Sequence, residues 1–315
     1  MLDALKFVQG AVAKKNFAPE LTHFRIENGT IKGFNGSLSL CSPIDLDLNV
    51  TPKAAPFTKA IAACRATTSM NITPAGRLSI KSGKFKAFVE CIQEDYPNIL
   101  PEGNLIEING EFVATLRKLA PYMAEDASRP WARGICLRGQ CAYVTNNIII
   151  IQAWLKTPFP IEVNIPAPAI KEIVRIGTDP ISIQVAENSV TFHYEDGRWL
   201  RTNVSDLAWP DVNKIFDAPH SPTEIPKNFF QALEDLKAFT DDVDRVYFTP
   251  EKITTSLEEG VGASYALKGL PNASFNLSQL MLLDGIMETI DFTMYPKPCI
   301  FYKGNLRGAI VGMRM

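Results

Sequence analysis

An internal repeat limits what this chain can fold into more than any single motif does, because self-similarity at a fixed spacing dictates a repeated architecture. The step Tyr96-Pro97-Asn98 returns as Trp209-Pro210-Asp211, 113 residues further on. Similar patterning surrounds both steps and occurs a third time in the last part of the chain. Leu2, Leu5, Val8 and Val12, then Phe112, Leu116, Leu119 and Met123, then Phe230, Leu233 and Leu236 form apolar stripes at three- and four-residue spacing. Each stripe predicts one buried helix face. A second helix is predicted in each stretch, at Phe57, Ile61 and Cys64, at Ile170, Ile173 and Val174, and at Leu277, Leu280 and Met281. Pro52, Pro56, Pro166, Pro168 and Asn276 supply start signals. After each second helix the period changes to two: Leu78, Ile80 with Phe85, Ala87, Val89; Ile181, Ile183, Val185 with Val190, Phe192, Tyr194; Ile290, Phe292, Met294 with Cys299, Phe301. Such alternation predicts half-buried antiparallel strands joined by short turns. The reading is an α+β protein of three repeated modules, 1–103, 104–220 and 221–315. Their boundaries lie near the turn formers Pro101-Glu102-Gly103 and Pro219-His220-Ser221-Pro222.

Charge becomes informative only when divided along this repeat. The whole chain carries −2, which taken alone argues against nucleic acid. The six predicted helices, however, sum to +6, leaving −8 elsewhere. Lys6, Lys14, Lys15, Lys53, Lys59, Arg65, Arg117, Lys118, Lys171 and Arg175 supply the positive surface. Helix surfaces are often rich in Lys and Arg without further purpose. A basic helical face within an acidic remainder also suits a phosphate backbone and keeps the outside soluble. Along the chain the three modules carry +3, −2 and −3, a bias that favours head-to-tail pairing of two copies. The faces expected to meet carry Lys81, Lys84 and Lys86 on one side and Asp241, Asp242, Asp244, Glu258 and Glu259 on the other.

The chemistry of an enzyme is not visible. Neither a phosphate-binding loop nor a dinucleotide fingerprint occurs. His23, His193 and His220 stand outside any nucleophile or metal motif, and Gly260-Val261-Gly262-Ala263-Ser264 lacks the strand-turn-helix frame of a nucleophile elbow. Asp45 and Asp47 read as the exposed face of a strand. Cys41, Cys64, Cys91, Cys136, Cys141 and Cys299 lack metal-ligand spacing and read as reduced thiols of a cytoplasmic protein. With 46% hydrophobic residues, a longest apolar run at Ile148-Ile149-Ile150-Ile151 and no charged-then-apolar leader, neither disorder nor a membrane span is expected. The expectation is a binding scaffold without catalytic residues, cofactor or metal.

These features together lead to a family. The sequence resembles the bacterial-type DNA sliding clamp, the beta subunit of DNA polymerase III, over essentially the whole chain. The most specific pieces are Lys81-Ser82-Gly83-Lys84-Phe85-Lys86 followed by Asp95-Tyr96-Pro97-Asn98, then Trp209-Pro210-Asp211, Phe275-Asn276, and the tail Val311-Gly312-Met313-Arg314-Met315. That tail is similar to the family's Met-Pro-Met-Arg-Leu ending. The resemblance implies a head-to-tail homodimer closed into a six-module ring, with helices inward around duplex DNA and sheets outward. It implies a processivity factor that slides without reading sequence and tethers the replicative DNA polymerase after a clamp loader has placed it, with no membrane partner. It also implies an apolar cleft for partner peptides. The matching positions are Thr145, Asn147, Ile148, Ile149 and Ile150, then Pro210, Lys214 and Ile215, then Pro298, Val311, Met313, Arg314 and Met315. The family's Thr-Asp-Gly-His-Arg-Leu stands here as Thr145-Asn146-Asn147-Ile148-Ile149-Ile150, which predicts a different peptide preference. Arg129-Pro130-Trp131 occupies a loop at which relatives face DNA, so Arg129 and Trp131 are expected at the sugar-phosphate backbone or a single strand; the other reading of Trp131 is a packed aromatic. The chain's shortness agrees with a bacteriophage-encoded clamp. The rival readings are a repeat-built peptide-binding adaptor that does not encircle DNA, and an enzyme whose site has no recognisable motif.

Overall fold

The computed structural model describes residues 1–15, 18–93, 95–126, 128–204 and 209–315. The fold is mixed α/β, with the chain divided into two compact units, Met1–Ala114 with Pro168–Asp206 and Thr115–Ala167 with Leu207–Met315. Each unit is therefore assembled from two separate stretches of sequence.

The first unit holds a seven-stranded sheet in the order Phe24–Glu27, Thr30–Phe34, Leu38–Pro43, Trp199–Asn203, Ser189–His193, Ser182–Ala186 and Asn104–Glu107. Every pairing in it is antiparallel. The pairing of Leu40 with Leu200 joins strands of the first and second expected repeats into one sheet. Helix Leu2–Val8 lies close on this sheet: a Cβ at Gly33 would sit 2.6 Å from the Val8 carbonyl oxygen, so only glycine permits the approach. Helix Ala54–Ala63 buries Phe57 and Ile61 on one side, and the Phe57 ring meets Phe24 edge-on at 6.4 Å. A separate sheet orders Thr68–Ile72, Leu78–Ser82 and Phe85–Val89.

In the second unit the six-stranded sheet runs Thr223–Glu224, Thr289–Ile290, Cys299–Lys303, Leu306–Ile310, Ile149–Pro166 and Gly134–Thr145. Here too a pairing, Ala309 with Ile150, joins strands of neighbouring expected repeats. A four-stranded sheet orders Ser264–Ala266, Lys252–Thr254, Arg245–Phe248 and Ala273–Asn276. Phe229, Phe248, Phe275 and Phe292 cluster between these elements, with the Phe248 ring 5.2 Å from both Phe275 and Phe292. Buried aromatics packed edge-on or tilted in this way contribute beyond their area alone.

All six expected helices form: Leu2–Val8, Ala54–Ala63, Phe112–Leu119, Ala167–Ile176, Phe229–Leu236 and Leu277–Met281. Their ends depart from the sequence pattern for local reasons. Helix Leu2–Val8 tightens into a 3-10 turn, Gln9–Ala11, before Val12 is reached, and Phe112–Leu119 does the same at Ala120–Tyr122, where Pro121 has no amide to continue the ladder. The third stripe begins one residue earlier than expected: Phe229, Ala232, Leu233 and Leu236 are buried while Phe230 is half-buried. The expected strand through Ile290, Phe292 and Met294 ends at Ile290. Asp291 turns the chain by accepting the Thr293 amide, and Phe292–Met294 form a 3-10 turn.

Candidate functional site

The strands Gly134–Thr145 and Ile149–Pro166 form a hairpin whose turn makes one wall of a groove in the second unit. Its own side chains fix this turn. Thr145 Oγ1 donates to the Ile149 carbonyl at 2.7 Å and accepts from the Asn147 amide at 3.0 Å. Asn146 Oδ1 accepts from the amides of Ile148 and Ile149 at 3.1 and 2.8 Å. Asn147 takes φ 77°, a conformation Asn adopts more readily than β-branched residues. Strand alternation then sends Ile149 and Ile151 into the core and leaves Ile150 half-buried at the groove.

Beneath lies a floor of aromatic and small side chains. Cys136, Cys141, Tyr143, Trp209, Val212, Phe216, Ile300 and Ala309 are buried together, and Trp131, Ile150 and Ile215 pack against them. The Trp131 ring stands edge-on to Trp209 at 5.1 Å, and Tyr143 lies 6.2 Å from Trp209. Arg307 is spread over the rings of Phe216 at 4.5 Å and Trp154 at 5.2 Å, and donates to Gln152, which in turn donates to the Tyr143 hydroxyl at 2.8 Å. A floor tied by both packing and hydrogen bonds keeps its shape before anything binds. Burial raises the Cys136 thiol to about 12, so it stays protonated and acts as a small apolar filler.

Pro210, Asp211, Val212 and Ile215 build a further wall, and Asp211 Oδ1 accepts the Asn213 amide at 3.1 Å to start the short helix Asn213–Phe216. Pro298, Ala309 and Val311 complete the lining, with the Val311 amide donating to the Ile148 carbonyl at 3.0 Å. The groove encloses about 350 Å³. Its lining includes Thr145, Asn147, Ile148, Ile149, Ile150, Pro210, Ile215, Pro298 and Val311 of the expected cleft residues. Lys214 is exposed outside the lining. Met313, Arg314 and Met315 also lie outside it: the Met313 amide donates to the Ser274 carbonyl at 2.7 Å, and Tyr295 Oη donates to the Met313 carbonyl at 2.5 Å. Gly312 makes this path possible, because a Cβ there would come within 2.5 Å of the Tyr295 ring.

Arg129 and Trp131, expected on a DNA-facing loop, line this groove, and Arg129 Nη1 donates to Asn147 Oδ1 at 3.2 Å. Sequence reasoning missed Asp211, Val212 and Ala309 as lining residues. Asp211 is the third member of the repeated aromatic-Pro-Asx step, and Ala309 lies two residues before Val311, so the repeat and a spacing of two point to both.

Lys6, Lys14, Lys15, Lys53, Lys59, Arg65, Arg117, Lys118, Lys171 and Arg175 are all exposed. Some already serve the fold. Arg65 closes its helix by donating to the Ala62 carbonyl at 2.8 Å. Arg175 pairs with Glu172 at 2.7 Å and reaches the carbonyls of Lys6 and Phe7 at 3.1 and 2.8 Å, tying helix Ala167–Ile176 to helix Leu2–Val8. Lys53 comes within 4.0 Å of Glu90. Lys14 and Lys15 lie in a bend after the first helix.

Of the charges expected at a self-interface, Lys81 and Lys86 face each other across the hairpin Leu78–Ser82 with Phe85–Val89, with Lys84 at its turn, and all three are exposed. Asp242, Glu258 and Glu259 are exposed as well. Asp241 accepts the Arg245 amide at 2.9 Å, and Asp244 accepts from Thr240 at 2.9 Å and the Ser278 amide at 2.8 Å. Burial pushes the Asp244 carboxyl upward, but these hydrogen bonds more than offset it and hold it below the usual aspartate value. Among the described residues no cluster of three or more His, Cys, Asp or Glu could hold a metal ion, and no helix is long and apolar enough to cross a membrane.

No protein-family model and no curated protein matches the chain. Among solved structures, the chain is similar to the DNA polymerase sliding clamp of Bacillus subtilis with a TM-score of 0.82 at 16% identity. It is similar to Caulobacter crescentus pol III beta with a TM-score of 0.83 at 18% identity, and to the Pseudomonas aeruginosa sliding clamp with 0.83 at 17%. Each alignment covers 100% of this chain and 97% of the other. Likeness at this level over the full length of both chains shows that this sequence adopts the fold of the bacterial DNA polymerase III beta sliding clamps.

Proposed function

We propose that the protein is a DNA sliding clamp, a processivity factor that encircles duplex DNA without reading its sequence and holds a replicative polymerase on it. One observation carries this reading: the fold of the bacterial clamps extends from one end of the chain to the other. Segments 1–103, 104–220 and 221–315 act as three clamp modules, and two chains join head to tail into a six-module ring. Lys81, Lys84 and Lys86 of one copy then face Asp241, Asp242, Asp244, Glu258 and Glu259 of the other. Surface charges of this kind steer and orient more than they hold.

Exposed cations on the first- and second-module helices line the hole and attract phosphates diffusely, so the ring slides; closure of the ring, rather than affinity, prevents loss. The groove below Ile148 and Ile150 takes short apolar peptides of the polymerase, the clamp loader and other partners. Tethering through it raises the polymerase's effective concentration at its template. The work is binding alone, in the cytoplasm, without catalysis, cofactor or metal.

The decisive experiment loads the protein with a clamp loader onto nicked circular DNA and onto the same DNA made linear. Retention on circles with rapid loss from free ends is the expected outcome. Equal retention on both would remove the ring and leave a peptide-binding adaptor as the reading.

A further inference from the structure

The first unit holds a cavity of its own, of about 450 Å³, where three loops meet: the one after strand Asn104–Glu107, the one after helix Ala167–Ile176, and the turn between Ser189–His193 and Trp199–Asn203. Ile108, Pro180 and Ile181 give it apolar walls, and its charged residues are Asp179, Glu195, Asp196 and Arg198. Those charges do not balance. Arg198 pairs with Asp196 at 2.5 Å and lies over the Phe7 ring at 4.7 Å, so the one lining cation is already engaged. Arg175, whose charge also reaches the site, is held by Glu172 at 2.7 Å. Asp179 accepts the Val113 amide at 2.7 Å, a neutral partner, and among the described residues no cation pairs with Asp179 or Glu195. A second observation comes from the floor. Tyr194 is 4% exposed and lines the cavity edge-on to Phe7, yet its hydroxyl has no hydrogen-bond partner among the described residues. Native folds rarely leave a buried hydroxyl so, because the unmade bond is costly. Burial pushes the Tyr194 phenol up, so it stays protonated and can accept one N–H while donating to a carboxylate.

We propose that this cavity is a binding site for an aliphatic diamine. One ammonium lies between the Tyr194 hydroxyl and Asp179, the uncompensated carboxylate whose charge acts on that phenol. The other ammonium meets Glu195, and the methylenes between them run along Ile108, Pro180 and Ile181. Charge-assisted bonds to both carboxylates supply the affinity, and the apolar walls select an alkyl chain. A bare metal ion suits the cavity less well, since no cluster of three or more His, Cys, Asp or Glu among the described residues could hold one. A single lysine side chain would answer one carboxylate and leave the other without a counter-charge. The site is independent of the ring and of the peptide groove.

The test is calorimetric titration of the full-length protein with putrescine, cadaverine, butylamine and acetyl-lysine amide, at neutral pH and low salt in an amine-free buffer. At least one of the two diamines should bind about fivefold or more tightly than either monoamine. Asp179→Asn, which keeps an oxygen for the Val113 amide, and Glu195→Gln should each remove that advantage. Tyr194→Phe should weaken diamine binding about fivefold. Asp284→Asn, which removes an exposed carboxylate of the second unit, should leave binding as in the original protein. Thermal melting separates a binding role of Tyr194 from a structural one. Without ligand, Tyr194→Phe should melt no lower than the original protein, because it deletes only an unpaired hydroxyl, and it should lose most of the stabilisation that the diamine confers. Absence of diamine binding, equal binding of diamines and monoamines, or an advantage that survives Asp179→Asn and Glu195→Gln would overturn the proposal. So would a Tyr194→Phe protein that binds the diamine as before, or one that melts lower, since its hydroxyl would then have a partner within the fold.

Discussion

Trp131 shows how one side chain can join the stability of the fold to the lining of the proposed peptide groove. Its ring stands against Trp209 and also lines the groove, so Trp131→Ala should cost about 2 kcal/mol in urea unfolding and reduce peptide affinity at least about tenfold. Trp131→Phe should restore most of both. Gly312 is constrained from the opposite direction, by lack of space. Gly312→Ala should detach the tail from Tyr295 and Ser274 and lower stability by about 1–3 kcal/mol, read as faster proteolysis of the tail. Asp291 is a buried residue that makes the fold sensitive to acid. It is 5% exposed and accepts from the Ser221 amide at 2.7 Å and the Thr293 amide at 3.0 Å. Burial raises its pKa, but the hydrogen bonds and the nearby His220 more than offset this and leave it below the usual value of 3.8. A depressed carboxylate stabilises the fold above the unfolded-state value and loses that contribution as pH falls through the folded one. Stability should therefore decline below about pH 4, and Asp291→Asn should flatten that slope in urea melts at pH 3 and pH 6.

Helices and strands differ in how much of themselves they write locally. The six helix stripes were legible because a 3.6-residue period needs only its own segment, and all six formed. Ends of elements were less so: Pro121 withholds an amide at a helix end, and Asp291 stops a strand by accepting the Thr293 amide, local events that no period records. The shift from Phe230 to Phe229 arose because adjacent phenylalanines fit two stripes equally well until packing chooses. The pairing of Leu38–Pro43 with Trp199–Asn203 was not legible at all, since strand partners far apart in sequence share no local signal. In the groove, most positions suggested by resemblance to the clamps line one cavity, but Lys214, Met313, Arg314 and Met315 do not, and the route of the tail depends on Tyr295 and Ser274 and was invisible. Helix Leu277–Met281 offers a test at this scale. Being short, it relies on its first turn, where Asn276 accepts the Gln279 amide at 2.9 Å and Asp244 accepts that of Ser278. Asn276→Ala should cost about 1 kcal/mol and Asn276→Asp much less, measured by chemical denaturation.

For the whole molecule, the proposed assembly makes its own prediction. Reversing Lys81, Lys84 and Lys86 to Glu together should place like charges opposite one another in the dimer. The expected result is a shift toward the monomer in sedimentation at low salt, partly recovered as added salt screens the repulsion. The sheets carry a further consequence, one of timing. Leu40 pairs with Leu200, a separation of 160 residues. At about 5–20 residues per second, a ribosome takes roughly 8–30 s to cover that distance. Throughout this interval the edge of Leu38–Pro43 that pairs with Trp199–Asn203 stands open on the nascent chain. A chain interrupted near Gly103 would therefore lack the partner strand of Leu38–Pro43. It would leave an unclosed sheet edge for chaperones and proteases to find.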